Sequence, residues 1–78
     1  MEMVWVLEPV KAGIRIYMLF IDGTGTNVYI MHRNGRTGPF VCRFGTEVFL
    51  EHRLLWKVKD QTEAYLREKY ERKEPEMS

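Results

Sequence analysis

The 78-residue chain has one cysteine, three prolines, a single serine at its last position and no long apolar run. With Cys42 as its one thiol it can form no intramolecular disulfide. That excludes a disulfide-stapled secreted mini-domain and makes a reducing, cytoplasmic setting the expectation. The lack of any serine before Ser78 excludes a serine nucleophile within a fold. No stretch approaches the roughly 18 apolar residues of a spanning helix, and Met1-Glu2-Met3-Val4-Trp5 lacks the basic and apolar regions of a signal peptide. No membrane partner is expected. Charge of one sign is also missing: 12 basic against 11 acidic residues leave +1. Such a chain steers toward no polyanion at long range, and nucleic acid would have to be held by a local patch.

What the chain does have is material for one small core. Its hydrophobic fraction is 45% and its aromatic fraction 13%, ample for a single domain but for no second one. The expected domain spans residues 1–73, with 74–78 as a frayed tail. Residues 1–45 carry five basic and three acidic groups, and residues 46–78 carry seven and eight. The dense mixture in the second part is the pattern of a solvated helix.

Met3-Val4-Trp5-Val6-Leu7-Glu8, closed by Pro9, reads as a strand, and Ile14 to Ile21 gives the strongest strand signal of all. Asp22 to Asn27 reads as a loop, Val28 to Arg33 as a third strand, and Pro39 to Phe44 as a fourth. Asn34-Gly35 is the preferred pair for a two-residue hairpin, so strands two to four are expected to form an antiparallel meander. Beyond Gly45, Thr46 could cap a helix in which Leu50, Leu54 and Val58 recur at i, i+4, i+8. Leu54 to Val58 can also be read as a short strand. Asp60-x-x-Glu63 resembles a capping box, and Ala64, Tyr65, Leu66 and Tyr70 form an apolar stripe beside the pairs Glu63–Arg67 and Glu68–Arg72. The expected fold is α+β, an antiparallel meander of three or four strands packed on a C-terminal helix, with a second helix over 46–58 as the favoured alternative to a strand.

Both parities of the second strand are apolar. A two-residue turn at Asn34-Gly35 groups Ile14, Ile16, Met18, Phe20, Tyr29, Met31, Phe40 and Cys42 on one face. The other then carries Arg15, Tyr17, Leu19, Ile21, Val28, Ile30 and Val41, with His32 and Arg43 at its margin. One helix covers one face. The other needs a second helix, a second copy of the chain or another protein. The same turn sets Arg33 directly opposite Arg36, a repulsive pair unless an anion bridges it.

Groups suited to chemistry are scarce. His32, Cys42 and His52 lack the short chelating spacings of zinc sites, so no metal or other cofactor is expected. Gly38 to Phe44 echoes the aromatic strand of RNA-recognition domains, but Pro39 interrupts it and Arg43 stands where the last aromatic belongs. Asp22 to Asn27 lacks the frame and the lysine of a phosphate loop. Cys42 lies inside a strand and Glu47 and Glu51 in a charged segment, so no catalytic residue is assigned. The reading is a non-enzymatic interaction module, an inhibitor or adaptor of viral or mobile-element type, that docks another protein and could pair with itself. Its expected contact set is Tyr17, Leu19, Ile30, Arg33, Arg36, Val41, Arg43 and Trp56. Single-stranded nucleic acid bound by sheet aromatics and arginines is the alternative.

Overall fold

The computed structural model describes residues 1–33 and 38–71. Five strands run in chain order across one antiparallel sheet: β1 (Met3–Leu7), β2 (Ile14–Ile21), β3 (Thr24–Arg33), β4 (Phe40–Phe44) and β5 (Glu47–His52). One helix follows, α1 (Leu55–Glu71). The α+β class and the C-terminal helix match the sequence reading, whereas three features differ from it.

The first is the segment after Gly45. It forms β5, and no second helix occurs among the described residues. Gly45, with φ at +65°, occupies the first central position of a two-residue turn and reverses the chain onto β4. Pairing with β4 sets Leu50 opposite Cys42. Phe49, the extra residue of a bulge, stacks on Phe44 with ring centroids 4.5 Å apart. A helix here would forgo both the ladder and that stack, so tertiary pairing overrides the helical spacing.

The second difference is where α1 begins. Leu54, not Asp60, stands at its N-terminal boundary: its carbonyl accepts from the N–H groups of Lys57 and Val58, and its own N–H donates to His52 Nδ1 at 3.0 Å. Asp60 lies within the helix. The residues that reach zero or near-zero exposure are Val58, Thr62 and Leu66, spaced by four along one stripe. Burying an aliphatic side chain contributes about 1.5–3 kcal/mol, against a few tenths for an exposed pair such as Glu63–Arg67 at 4.0 Å. Packing therefore sets the helix, and the surface charges decorate it. Arg72, the partner expected for Glu68, lies outside the described residues, as do the Asn34-Gly35 turn and the boundary at 73.

The third is the segment read as a loop at 22–27. Asp22 and Gly23, with φ at +51° and +83°, make a two-residue turn, and β3 starts at Thr24. Thr26 to Val28 then bulge opposite the single residue Leu19. The Thr26 hydroxyl holds the bulge by donating to the Leu19 carbonyl (2.9 Å) and accepting from the Val28 N–H (3.1 Å).

The core lies between α1 and one side of the sheet: Leu19, Val28, Ile30 and Cys42 face Val58, Thr62 and Leu66. Trp5 ties β1 to the helix, its indole N–H donating to Glu63 Oε2 at 2.7 Å.

Candidate protein-docking face

Register decides which side chains look away from the helix. Observed pairings set Ile30 opposite Cys42 and Met31 opposite Val41. A two-residue turn at Asn34-Gly35 would have set Met31 opposite Gly38, three residues away. Because three is odd, the shift moves every β4 side chain to the other side of the sheet. Phe40 and Cys42 go under the helix, and Val41 and Arg43 join Ile14, Ile16, Met18, Tyr29 and Met31 on the open side.

This open side has an apolar floor. Ile14, Ile16, Met18, Phe20 and Met31 line a hollow of about 610 Å³ together with Glu8, Pro9 and Lys11. An adjoining hollow of about 500 Å³ shares Ile14 and Met31 and adds Pro39 and Val41, with Arg33 and Arg43 at its rim. Val4 and Val6, both at least 40% exposed, extend the floor onto β1. α1 packs on the opposite side, and none of these floor residues packs against the buried cluster. Two methionines, flexible and polarizable, suit a surface that adapts to a partner.

Arg43 is the charged group set into this floor. It stands opposite Tyr29, its Nη2 donates to the Thr46 carbonyl at 2.7 Å, and its Nε is buried without an acceptor. No described carboxylate lies within ion-pair distance of it. Covering a guanidinium without a new acceptor costs several kcal/mol, so a partner seated here has to bring one, best of all a carboxylate. Arg33 is exposed at the end of β3 on the same side.

The contact residues expected from sequence divide between the two sides. Leu19 and Ile30 have no exposure at all, and Tyr17 is half-buried beside them, with the Lys59 ammonium 5.1 Å from its ring centre. These three hold α1 to the sheet and are not a docking surface, a correction that follows from α1 packing on their side. Val41, Arg43 and Arg33 are on the open side. Trp56 is 61% exposed on the first turn of α1, in the layer that covers the opposite side, with the Lys57 ammonium 5.9 Å from its ring. Arg36 lies outside the described residues. Ile14, Ile16, Met18, Tyr29 and Met31, which the expected contact set left out, are the open ones. Composition alone does not separate the faces, since Met3 packs on the core side while Met18 and Met31 face outward.

No protein-family model, curated protein or solved structure matches the chain.

Cys42, His32 and His52 sit in contacts that belong to the fold. Cys42 is buried, its sulfur accepts from the Thr62 hydroxyl at 3.3 Å, and burial pushes its thiol pKa up although that hydrogen bond works the other way. A thiol held protonated in a core is a poor nucleophile. His32 stacks on Phe40 with centroids 4.0 Å apart, His52 accepts the Leu54 N–H, and no cluster of three or more His, Cys, Asp or Glu suited to a metal occurs among the described residues. Phe40 and Phe44, the rings of the RNA-binding comparison, lie on the helix side. Phe20 and Tyr29 are the aromatics of the open side, and the Tyr29 hydroxyl donates to the Gly45 carbonyl at 3.0 Å. No helix among the described residues is long and apolar enough to cross a membrane.

Proposed function

We propose that this protein is a non-enzymatic docking module, an inhibitor or adaptor that receives another protein on the open side of its sheet. One observation carries the reading: a five-stranded sheet has its helix on one side and an apolar, arginine-bearing floor on the other. An antiparallel sheet that meets water on one side normally alternates apolar with polar residues. Here β2 is apolar at both parities apart from Arg15 near its start, which suits a sheet covered on both sides in its working state. The unpaired Cys42 favours a reducing compartment such as the cytosol for that work.

Co-purification from native cells tests this, with Ile16→Asp/Met31→Asp compared against Trp56→Ala. A stoichiometric partner held by wild type and by Trp56→Ala but lost from the double variant, at unchanged circular dichroism, supports the open side as the contact. Retention by the double variant refutes it. Sedimentation at micromolar concentration separates a monomer from a self-paired form. Single-stranded nucleic acid keeps some support from Arg33, Arg43 and Tyr29 lying on one side. That reading predicts oligonucleotide affinity that falls steeply with salt, and apolar docking does not.

A further inference from the structure

The two edges of the sheet are unlike. β5 carries Glu47, Glu51 and His52 and is bulged at Phe49, devices by which edge strands resist pairing with other chains. β1 has none of them. Met3-Val4-Trp5-Val6-Leu7 holds no charge and no proline and pairs with β2 without a bulge over all five residues.

Its hydrogen-bonding phase is fixed at both ends. The Asp22 N–H donates to the Glu2 carbonyl and the Glu8 N–H to the Ile16 carbonyl, both at 2.8 Å. Even-numbered residues of this segment therefore exchange bonds with β2. Antiparallel alternation turns the N–H and C=O groups of Met3, Trp5 and Leu7 outward. No described strand pairs with them. Three donors and three acceptors thus stand in a row about 14 Å long. Exposed apolar side chains flank the row, Val4 and Val6 on the open side and Leu7, 52% exposed, on the helix side.

Charge selects the occupant. Glu2 and Glu8 bracket the row, and the Asp22 carboxylate sits at the first end, accepting from the Glu2 N–H at 2.8 Å. A second copy paired antiparallel over Met3, Trp5 and Leu7 would set each Glu2 opposite a Glu8, and like charges directly opposite repel. A strand with cationic ends is complementary. We infer that β1 is a docking edge for an extended segment of another protein, apolar in its middle and flanked by lysine or arginine, which adds to the sheet as a sixth strand. This edge is a different surface from the open floor and is testable without it.

The test is amide hydrogen exchange on the full chain, with and without the synthetic peptide Lys-Val-Thr-Val-Thr-Val-Lys. Above 90% occupancy, exchange at the Met3, Trp5 and Leu7 amides should slow by about tenfold or more, while Val4 and Val6, already bonded to β2, change by less than about twofold. The same peptide with glutamate ends, or with a central proline, should bind at least about tenfold more weakly, and Glu2→Lys/Glu8→Lys should reverse the preference between lysine and glutamate ends. Unchanged exchange at the three amides under saturating lysine-flanked peptide overturns the inference. So does a response confined to Ile16, Met18 and Met31, which would put the peptide on the floor. Protection of the three amides that grows with protein concentration alone would make a second copy the occupant and overturn the choice made here.

Discussion

Ile30 and Met31 are neighbours in β3, yet the structure gives them opposite surroundings, and truncating each in turn tests the whole assignment of sides. Ile30 is fully buried between the sheet and α1. Replacing it with alanine removes three carbons, about 0.8 kcal/mol each, and adds a cavity term, for a loss of about 3–4 kcal/mol. A domain of this length is stable by about 4–12 kcal/mol, so the loss is a large fraction of the total. In a thermal melt it corresponds to a fall of about 12–30 °C. Met31 packs from one side only, and Met31→Ala should cost about 1 kcal/mol or less. Urea unfolding followed by far-ultraviolet circular dichroism measures both, with an unchanged m-value as the check on two-state behaviour. Should Ile30→Ala fail to fold, Ile30→Val keeps the comparison alive at about 1 kcal/mol. Equal losses at the two positions would refute the reasoning, because they would mean that the floor is covered in the free protein.

The Trp5 indole hydrogen bond to Glu63 is partly exposed, so Trp5→Phe should lower stability by about 1 kcal/mol, and a double-mutant cycle with Glu63→Gln should show the two changes to be coupled. The raised thiol pKa of Cys42 has a signed consequence. Below the ordinary value of 9.0 both folded and unfolded thiols are protonated and nothing changes, but above it the unfolded thiol ionises while the folded one resists, so stability falls as pH rises past 9. Cys42→Ala should flatten that part of the pH curve, and the native thiol should react with a disulfide reagent only as fast as the protein opens. Ala12 adopts φ at +53° in the turn before β2, a conformation that strains an L-residue, so Ala12→Gly should raise stability by about 0.5–1 kcal/mol in the same urea assay.

Local chemistry made much of this molecule legible in its sequence. The limits of β2 at Ile14 and Ile21 follow from a mostly apolar run, broken only by Arg15 and closed by Asp-Gly, and the helix follows from a charged segment with an apolar stripe. The need to cover two faces follows from β2 being apolar at both parities, and that is a property of composition and period alone. Three things were decided only by tertiary contacts. Residues 47–52 pair with β4 because Phe49 and Leu50 gain more against Phe44 and Cys42 than a short helix would provide. α1 begins at Leu55, well before Asp60, because Val58 as well as Leu66 fills the core. Which β4 side chains join the open face depends on a three-residue difference in the β3–β4 register, and which face stays open depends on where α1 packs. When both faces are apolar, the period-two pattern is satisfied either way and cannot fix the register. The choice falls to the fit of Leu19, Ile30 and Cys42 beneath Val58 and Thr62, which leaves Ile16, Met18 and Met31 facing outward.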